Sequence, residues 1–446
     1  MERTCLWLAQ VDHDDSPPLS GDVTADVCVV GGGYSGLWTA LRVLSLEPAA
    51  RVVLVEAGRC GGAASGRNGG FALSWWPKLG SLVARAGREE ALRLARASAE
   101  AIDEIGSCGV DAAFRRGGWI WTATSAAQLG AWHAAVELSG QAFEVLDADA
   151  LAAITGSPAH VGGVRERGAA TVHPARLARG LRRLALERGV VVHERTPMVE
   201  LDRDAGVVRT PGGSVRADAV VLATNAWLAD MPELRRALAV VSSDVVATEP
   251  IPEALHASGW TGGEAISDSR LMVRYWRTDP DGRVVLGRGG GALAYGARFS
   301  FDDPGERRAA DVAGELPRLV PAARGAAVEY AWGGAVDRSV DGLPFFGMLP
   351  GRARVVYGAG FSGNGVGPAV IGGRVMASLA LRRDDEWSGC ALARGVPPGR
   401  FPPEPVRFLG GTLVRRAVGR KERIEDAGGR ADPVTRGLAG LAPKGR

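Results

Sequence analysis

Apolar positions along this chain follow two alternating periods. Val27, Cys28, Val29 and Val30 form an unbroken apolar run of buried-strand length, after which Leu37, Ala40, Leu41 and Leu44 recur at helical spacing, and Val52, Val53, Leu54 and Val55 form a second such run. From 79 to about 109 the spacing of Leu92, Ala95, Ala99, Ile102 and Ile105 predicts a helix. A strand over 117–122 and a helix over 125–138 follow. Pro174 suits the first turn of a helix continued by Leu177, Leu181, Leu184 and Ala185, which makes His173 a flanking residue rather than a base. Then come a strand at 190–194, short strands at 207–210 and 214–217 across Pro211-Gly212-Gly213, and a strand-to-small-residue step from Asp218 to Trp227. A strand at 240–250 precedes a hairpin of 271–277 and 283–287 around Asp279-Pro280-Asp281-Gly282. A turn at 341–344, a strand at 355–360 and a helix through Ile371, Val375, Met376 and Leu379 close the pattern.

The junctions carry the chemistry. Between the first strand and helix stands Gly31-Gly32-Gly33-Tyr34-Ser35-Gly36. Gly31 permits the turn, Gly33 lets backbone approach a pyrophosphate, Gly36 lets helix and strand pack, and the free N–H groups of the helix start face the phosphates. The second strand ends in Glu56-Ala57, with the acid about 20 residues past the last glycine, where a dinucleotide fold needs a carboxylate for ribose hydroxyls. Strand, glycines, helix, strand and acid in register are far more specific than the glycines alone. Gly61-Gly62-Ala63-Ala64-Ser65-Gly66-Arg67-Asn68-Gly69-Gly70 follows, small residues around one cation and one amide, where backbone can lie against a large flat ligand. Trp75 and Trp76, just beyond, have two readings: a wall of the active site, or core aromatics.

Here the chain resembles the FAD-dependent oxidoreductases of the D-amino-acid oxidase family, in the branch that includes gamma-glutamylputrescine oxidase, through the Ala64-Ser65-Gly66-Arg67-Asn68-Gly69-Gly70 signature behind the ribose-binding acid. The Val221-Leu222-Ala223-Thr224 step and the turn Gly360-Phe361-Ser362-Gly363-Asn364-Gly365-Val366 carry the likeness into the middle and last thirds. The resemblance implies an α/β fold: a Rossmann-type FAD-binding domain, a parallel sheet with helices, interleaved with an α+β substrate domain on a mixed antiparallel sheet. The expected division is 25–80, 165–235 and 330–390 for FAD, 81–164 and 236–329 for substrate, and a basic extension over 391–446. By resemblance, FAD contacts fall on Gly31, Gly33, Tyr34, Ser35, Gly36, Glu56, Ala57, Ser65, Arg67, Asn68, Gly69 and Gly70. They continue with Met198 and Val199 near the adenine, Ala223 and Thr224, and Gly360 to Val366, whose helix-start dipole suits the charge gained by reduced flavin.

The same resemblance implies oxidation of a C–N bond of an amine or amino-acid-like substrate. A hydride passes to flavin N5 and the resulting imine hydrolyses, with O2 or another acceptor taking the electrons. No side-chain base is required. Trp76, Tyr275, Arg277 and Trp332 are the candidate cavity residues. Oxidases of small α-amino acids in the family clamp the carboxylate with arginine near the last two flavin segments, yet Gly334-Ala335-Val336 and Ser362-Gly363 carry none. That favours a longer amine, with Arg274, Arg277 and Arg338 as candidates for an anionic far end. A flavoenzyme of different outcome and a non-enzymatic nucleotide-binding scaffold share these motifs.

Composition narrows the rest. The chain has 446 residues, 46% hydrophobic and 23% charged, as in soluble globular proteins, with room for two or three lobes. A formal net charge of +3 gives no nucleic-acid surface. Basic residues gather at Arg407, Arg415, Arg416, Arg420, Lys421 and Arg423, read as a solvated helix face. Cys5, Cys28, Cys60, Cys108 and Cys390 have no metal-ligand spacing, leave one thiol unpaired in any disulfide scheme, and none is placed for a covalent flavin link, so FAD is expected to be non-covalent. Residues 1–24 read as an extended lead-in without a secretory signal, and no run reaches transmembrane length. The cytoplasm is the expected location.

Overall fold

The computed structural model describes residues 1–12 and 14–443 and contains two large sheets. In the first, Arg354–Ala359, Gly213–Leu222, Val23–Val30, Val52–Val55 and Val191–His193 run parallel in that order, and Phe345–Leu349 pairs antiparallel at the edge. These strands are almost wholly buried because helices cover the sheet, so an unbroken apolar run rather than alternation marks them. The helices Tyr34–Leu46, Pro174–Glu187 and Pro368–Ala380 pack there.

The second sheet runs Val328–Arg338, Ala239–Thr248, Val284–Arg288, Arg274–Thr278, Ala265–Asp268, Trp119–Ala123, Gly162–Glu166 and Glu144–Leu146, antiparallel except where Ala265–Asp268 meets Trp119–Ala123. One face carries Ile120, Val246, Trp276 and Leu286 against the outer helices; the other turns Trp119, Trp121 and Tyr275 towards the first sheet's domain. The hairpin turn is held by Asp279, whose Oδ1 accepts from Asp281 N at 3.0 Å and Arg283 N at 2.8 Å.

Several elements differ from the sequence pattern. The helix expected over 79–109 breaks at Gly87, φ +81°, into Leu79–Ala86 and Arg88–Ser107, and both pieces pack in the core of the parallel sheet rather than in the second lobe. The helix expected over 125–138 is interrupted at Gly130, φ +84°, leaving a short 3-10 turn and His133–Ser139. The pieces 214–217 and 218–222 are one strand, Gly213–Leu222, because its N-terminal half also pairs with Val207–Thr210. Val328–Arg338, placed at the start of the third FAD segment, pairs along its length with Ala239–Thr248 in the second sheet. Phe345–Leu349 was hidden behind the turn signal at 341–344.

The lead-in is not merely extended. Leu6–Ala9 is a short helix that buries Trp7 completely, its ring edge-on to Trp332 and His173. Farther on, Glu194 gathers the chain: its fully buried carboxylate accepts from Ser16 N (2.6 Å) and Cys60 N (2.7 Å), and pairs with Arg179 (2.7 Å) and Arg182 (2.9 Å) of the helix Pro174–Glu187. A buried acid is tolerable only with such full satisfaction, and losing one partner of a buried pair costs about 3–5 kcal/mol. His173 caps that helix, its Nδ1 accepting from Arg176 N at 3.2 Å, which accords with a flanking rather than a basic role.

The C-terminal segment forms helices Val406–Asp426 and Pro433–Ala439; residues 444–446 of the expected extension lie outside the described residues. Arg416, Arg420 and Arg423 are exposed, as a solvated face requires, but Arg407 is buried and donates to Leu238 O at 2.9 Å. Glu422 reaches Met272 N at 3.1 Å, and Asp426 pairs with Arg270, so the extension is docked on the second sheet. No helix among the described residues is long and apolar enough to cross a membrane.

Trp7→Phe keeps most of the apolar burial but removes the indole N–H, leaving Asn68 O without that donor. Chemical denaturation is expected to show a loss of about 1–3 kcal/mol, and Trp7→Ala a loss of about 3–5 kcal/mol.

Candidate functional site

The site lies where the C-terminal ends of the parallel strands meet the inner face of the second sheet. Strand Val23–Val30 ends at Gly31, φ +110°, where a Cβ would stand 2.7 Å from Ala223 O. At Gly36 a Cβ would come within 1.9 Å of Gly31 O, so helix and turn pack backbone to backbone. The helix starts at Tyr34, whose N–H donates to Ser65 Oγ at 2.9 Å, while Tyr34 Oη donates to Pro174 O at 2.9 Å. Gly33 caps the helix and Ser35 is half-buried on its first turn, leaving helix-start N–H groups at the turn for an anion. Glu56 accepts from Gly32 N (2.7 Å) and Gly58 N (2.8 Å); burial raises its pKa against these two bonds. Ala57 is exposed beside it. Met198 is partly buried, and Val199 is exposed with its N–H on Arg209 O at 2.9 Å.

The small-residue loop contains one helical turn, Ala64–Arg67, and then runs extended through Asn68. Its hydrogen bonding is satisfied from within and from behind. Arg67 Nε donates to Gly62 O at 2.8 Å, Asn68 Nδ2 to Ser65 O at 2.8 Å, and Gly70 N to Asn68 Oδ1 at 2.8 Å. Trp332 Nε1 donates to Arg67 O (2.8 Å), Trp7 Nε1 to Asn68 O (3.0 Å), and Arg277 Nη1 to Gly70 O (3.1 Å) and Val172 O (2.6 Å). Trp332 and Arg277 are thus fully used in holding the loop. Burial pulls the Arg277 pKa down to about 10, with Asp279 the principal charge opposing that. Tyr275 packs its ring where Gly69 has no side chain and shares a 2.8 Å hydrogen bond with Ser243 Oγ. Trp76 packs partly buried between the two domains' apolar clusters, whereas Trp75 is fully buried in the parallel-sheet core.

The other wall is the turn after Arg354–Ala359. Gly360 has φ +81° and Ser362 φ +55°; Gly360 N donates to Asp337 Oδ2, Ser362 N to Asp337 O at 3.1 Å, and Ser339 N to Ser362 Oγ at 3.1 Å. Phe361 and Val366 are buried in the core, and Gly363 and Gly365 lie partly open between them. Asn364 Nδ2 donates to Ser74 O at 3.1 Å, but its Oδ1 is buried without a partner. Ala223 and Thr224 close the end of Gly213–Leu222 next to Gly31.

These features fit FAD. A glycine turn at a helix start can take the pyrophosphate, an acid stands at the second strand end for the ribose, and the buried Asn364 Oδ1 lacks a donor that a ring N–H would supply. A family model described as FAD dependent oxidoreductase (DAO) matches residues 26–379. The chain belongs to this family. FAD is therefore its cofactor and oxidoreduction its activity. Within the family it is 31% identical over 399 residues to gamma-glutamylputrescine oxidoreductase of Escherichia coli K12, covering 86% of this chain and 90% of that protein. It is also 29% identical over 431 residues to the probable oxidoreductase OrdL of Rhizobium meliloti 1021, covering 90% and 91%. Glycine oxidase from Geobacillus kaustophilus superposes with a TM-score of 0.68 at 22% identity, over 84% of this chain and 100% of that one.

Sequence reasoning missed Trp7, Ser243 and Asp337. A lone Trp in a lead-in and a lone Asp near a strand end have no periodicity to set them apart. Burial pushes the Asp337 carboxyl up to about 6 and the Glu166 carboxyl up to about 7. Both bind protons more tightly folded than unfolded, so the stability they confer is lost as pH rises from about 4 towards 7. Asp337→Asn, which keeps an acceptor for Gly360 N, is expected to flatten the part of that decline between about pH 4 and 6, read from denaturation midpoints across this range.

Proposed function

We propose that the protein oxidises a C–N bond of an amine or amino-acid-like substrate. The α-hydrogen leaves carbon with its electron pair, nitrogen loses a proton, and water hydrolyses the imine to a carbonyl compound and an amine or ammonia. FAD, when bound, supplies the two-electron chemistry, and O2 is the terminal acceptor, reduced to hydrogen peroxide.

The observation that carries this reading is that relatives matched along most of the chain include gamma-glutamylputrescine oxidoreductase, and more distant ones glycine oxidase. The geometry supports the division of labour. Ser65 to Gly70 and Gly360 to Val366 hold the cofactor between them, with Met198 and Val199 at the adenine. The inner face of the second sheet, with Tyr275 and Trp76, excludes water and orients the substrate, and orientation itself removes much of the barrier. No side chain is assigned as a base. Val336 stands beside Gly363, so the position nearest that turn offers an apolar surface rather than a guanidinium, which disfavours glycine and other small α-amino acids. Cys60 lies buried against the Gly32 backbone, Cys390 lies in the core, and Cys5 donates to Gly66 O at 3.7 Å from behind the loop, and FAD is held non-covalently. The reading retains a soluble cytoplasmic enzyme with no nucleic-acid partner.

Anaerobic mixing of the holoprotein with polyamines, N-acylated diamines, secondary amines and amino acids is expected to bleach the flavin band with one class. Admission of air should then restore the band with peroxide formed. Reoxidation only by an added dye or quinone would replace O2 by another acceptor, and a band bleached by no amine would overturn the reading. Acid precipitation is expected to release all of the flavin into the supernatant; yellow colour retained in the pellet would contradict non-covalent binding.

A further inference from the structure

Three arginines were candidates for an anionic end of the substrate, and the structure separates them. Arg274 donates to Met272 O at 2.7 Å and pairs with Glu315 at 2.8 Å, below the C-terminal helix. Arg277 is spent on the carbonyls of Gly70, Val172 and Thr278. Arg338 is different. Its Nε is buried without a hydrogen-bond partner, as that of Arg274 is, but unlike Arg274 and Arg277 it makes no hydrogen bond or ion pair through its Nη atoms either among the described residues. Burial alone acts on its pKa, lowering it, with no carboxylate opposing the effect. The side chain is half-buried with its Nε out of water, and a partly desolvated guanidinium with no counter-charge is costly, such groups being normally paired.

Its position gives the missing partner a place. Alternate residues of a strand share a face, which puts Trp332, Gly334, Val336 and Arg338 on one side of Val328–Arg338. Along that face Trp332 donates to Arg67 O, a Cβ on Gly334 would lie 3.9 Å from Arg67 Cβ, and Val336 Cγ1 lies 3.7 Å from where a Cβ on Gly363 would stand. The face therefore runs from one cofactor-holding segment to the other, and Arg338 ends it. Its neighbours Asp337 and Ser339 are bonded to Gly360, and to Ser362 through both backbone and hydroxyl, so the strand is fixed on both sides of it.

We propose that Arg338 receives a carboxylate of the substrate, carried at the end remote from the C–N bond that is oxidised. This rests on the amine-oxidation reading above. Arg338 stands two residues, about 6.6 Å, beyond Val336 along the strand, so the carboxylate lies several bonds from the reacting carbon. The substrate class is an ω-amino carboxylate or an amine bearing a carboxyalkyl arm. A planar guanidinium suits that group because it can donate two parallel hydrogen bonds.

The test titrates the holoprotein with 5-aminovalerate, 6-aminohexanoate and hexanoate, reading the perturbation of the flavin visible band, beside n-pentylamine and n-hexylamine as partners without the carboxylate. Native protein is expected to bind the carboxylates. Arg338→Met should weaken them at least tenfold, with little change for the plain amines and no change in FAD affinity, and Arg338→Lys should restore part of the loss. Where turnover occurs, the loss should fall on KM rather than kcat. Absence of carboxylate binding in native protein, or equal binding by Arg338→Met, overturns the assignment. Loss of FAD affinity in both variants overturns it too, since the guanidinium would then serve the cofactor's phosphates. Bleaching by amines without preference for a carboxylate would remove Arg338 from recognition and leave amine oxidation standing. Carboxylate binding without bleaching would do the reverse.

Discussion

Three backbone carbonyls, those of Arg67, Asn68 and Gly70, determine where the cofactor-facing loop lies, and each accepts from a buried donor on another part of the chain. Trp332 comes from the second sheet's edge, Arg277 from its hairpin, Trp7 from the lead-in. A loop so rich in small residues has high conformational entropy, and although Arg67 and Asn68 bond it from within, the rest of its shape is imposed from outside. Large, rigid donors do this well: they fill the space behind the loop and satisfy its carbonyls together. Arg277 also lies over the Trp7 ring at 5.4 Å, and Trp7 meets Trp332 edge-on, so the three donors brace one another.

This arrangement makes the two sheets one device. In the proposed reading the parallel sheet supplies the turns that would receive phosphate, ribose and ring, and the second sheet fixes the loop and closes the opposite side. Val328–Arg338 belongs to the second by pairing, yet Asp337 accepts from Gly360 of the first domain's turn, so the strand joins the two at that turn. Glu194 plays a comparable part away from the site, binding lead-in, Cys60 and the helix Pro174–Glu187 into one charged cluster. The relatives that match most of this chain include a gamma-glutamylputrescine oxidoreductase and a glycine oxidase, which accords with a scaffold that keeps the cofactor geometry and varies the inner face of the second sheet.

Much of this was legible from residues alone, for a physical reason. The turn at Gly31 and the packing at Gly36 admit no side chain, and two fully buried strands must be apolar throughout, so the nucleotide unit leaves an unmistakable pattern. One hairpin of the mixed sheet was legible because Asp279 and Gly282 specify its turn locally. What stayed hidden depends on long-range partners. Arg277 and Tyr275 were placed on the right strand and Trp332 was assigned to the FAD domain instead, but whether any of the three faces a cavity or the back of a loop is decided by contacts hundreds of residues away. Trp7 carried no local signal, and the helix break at Gly87 was masked by apolar spacing that continues on both sides of it. The free state of Arg338 is visible only once the partners of Arg274 and Arg277 are known.

The second sheet holds the loop at 61–70 through its carbonyls. The most direct test is the FAD dissociation constant of Trp332→Phe, measured by flavin fluorescence on protein whose circular dichroism matches the native chain. Removing this indole N–H leaves the part-buried Arg67 O without its donor, a loss of about 1–3 kcal/mol. The affinity for FAD is expected to weaken about fivefold to hundredfold. An unchanged affinity in a fully folded variant would contradict it.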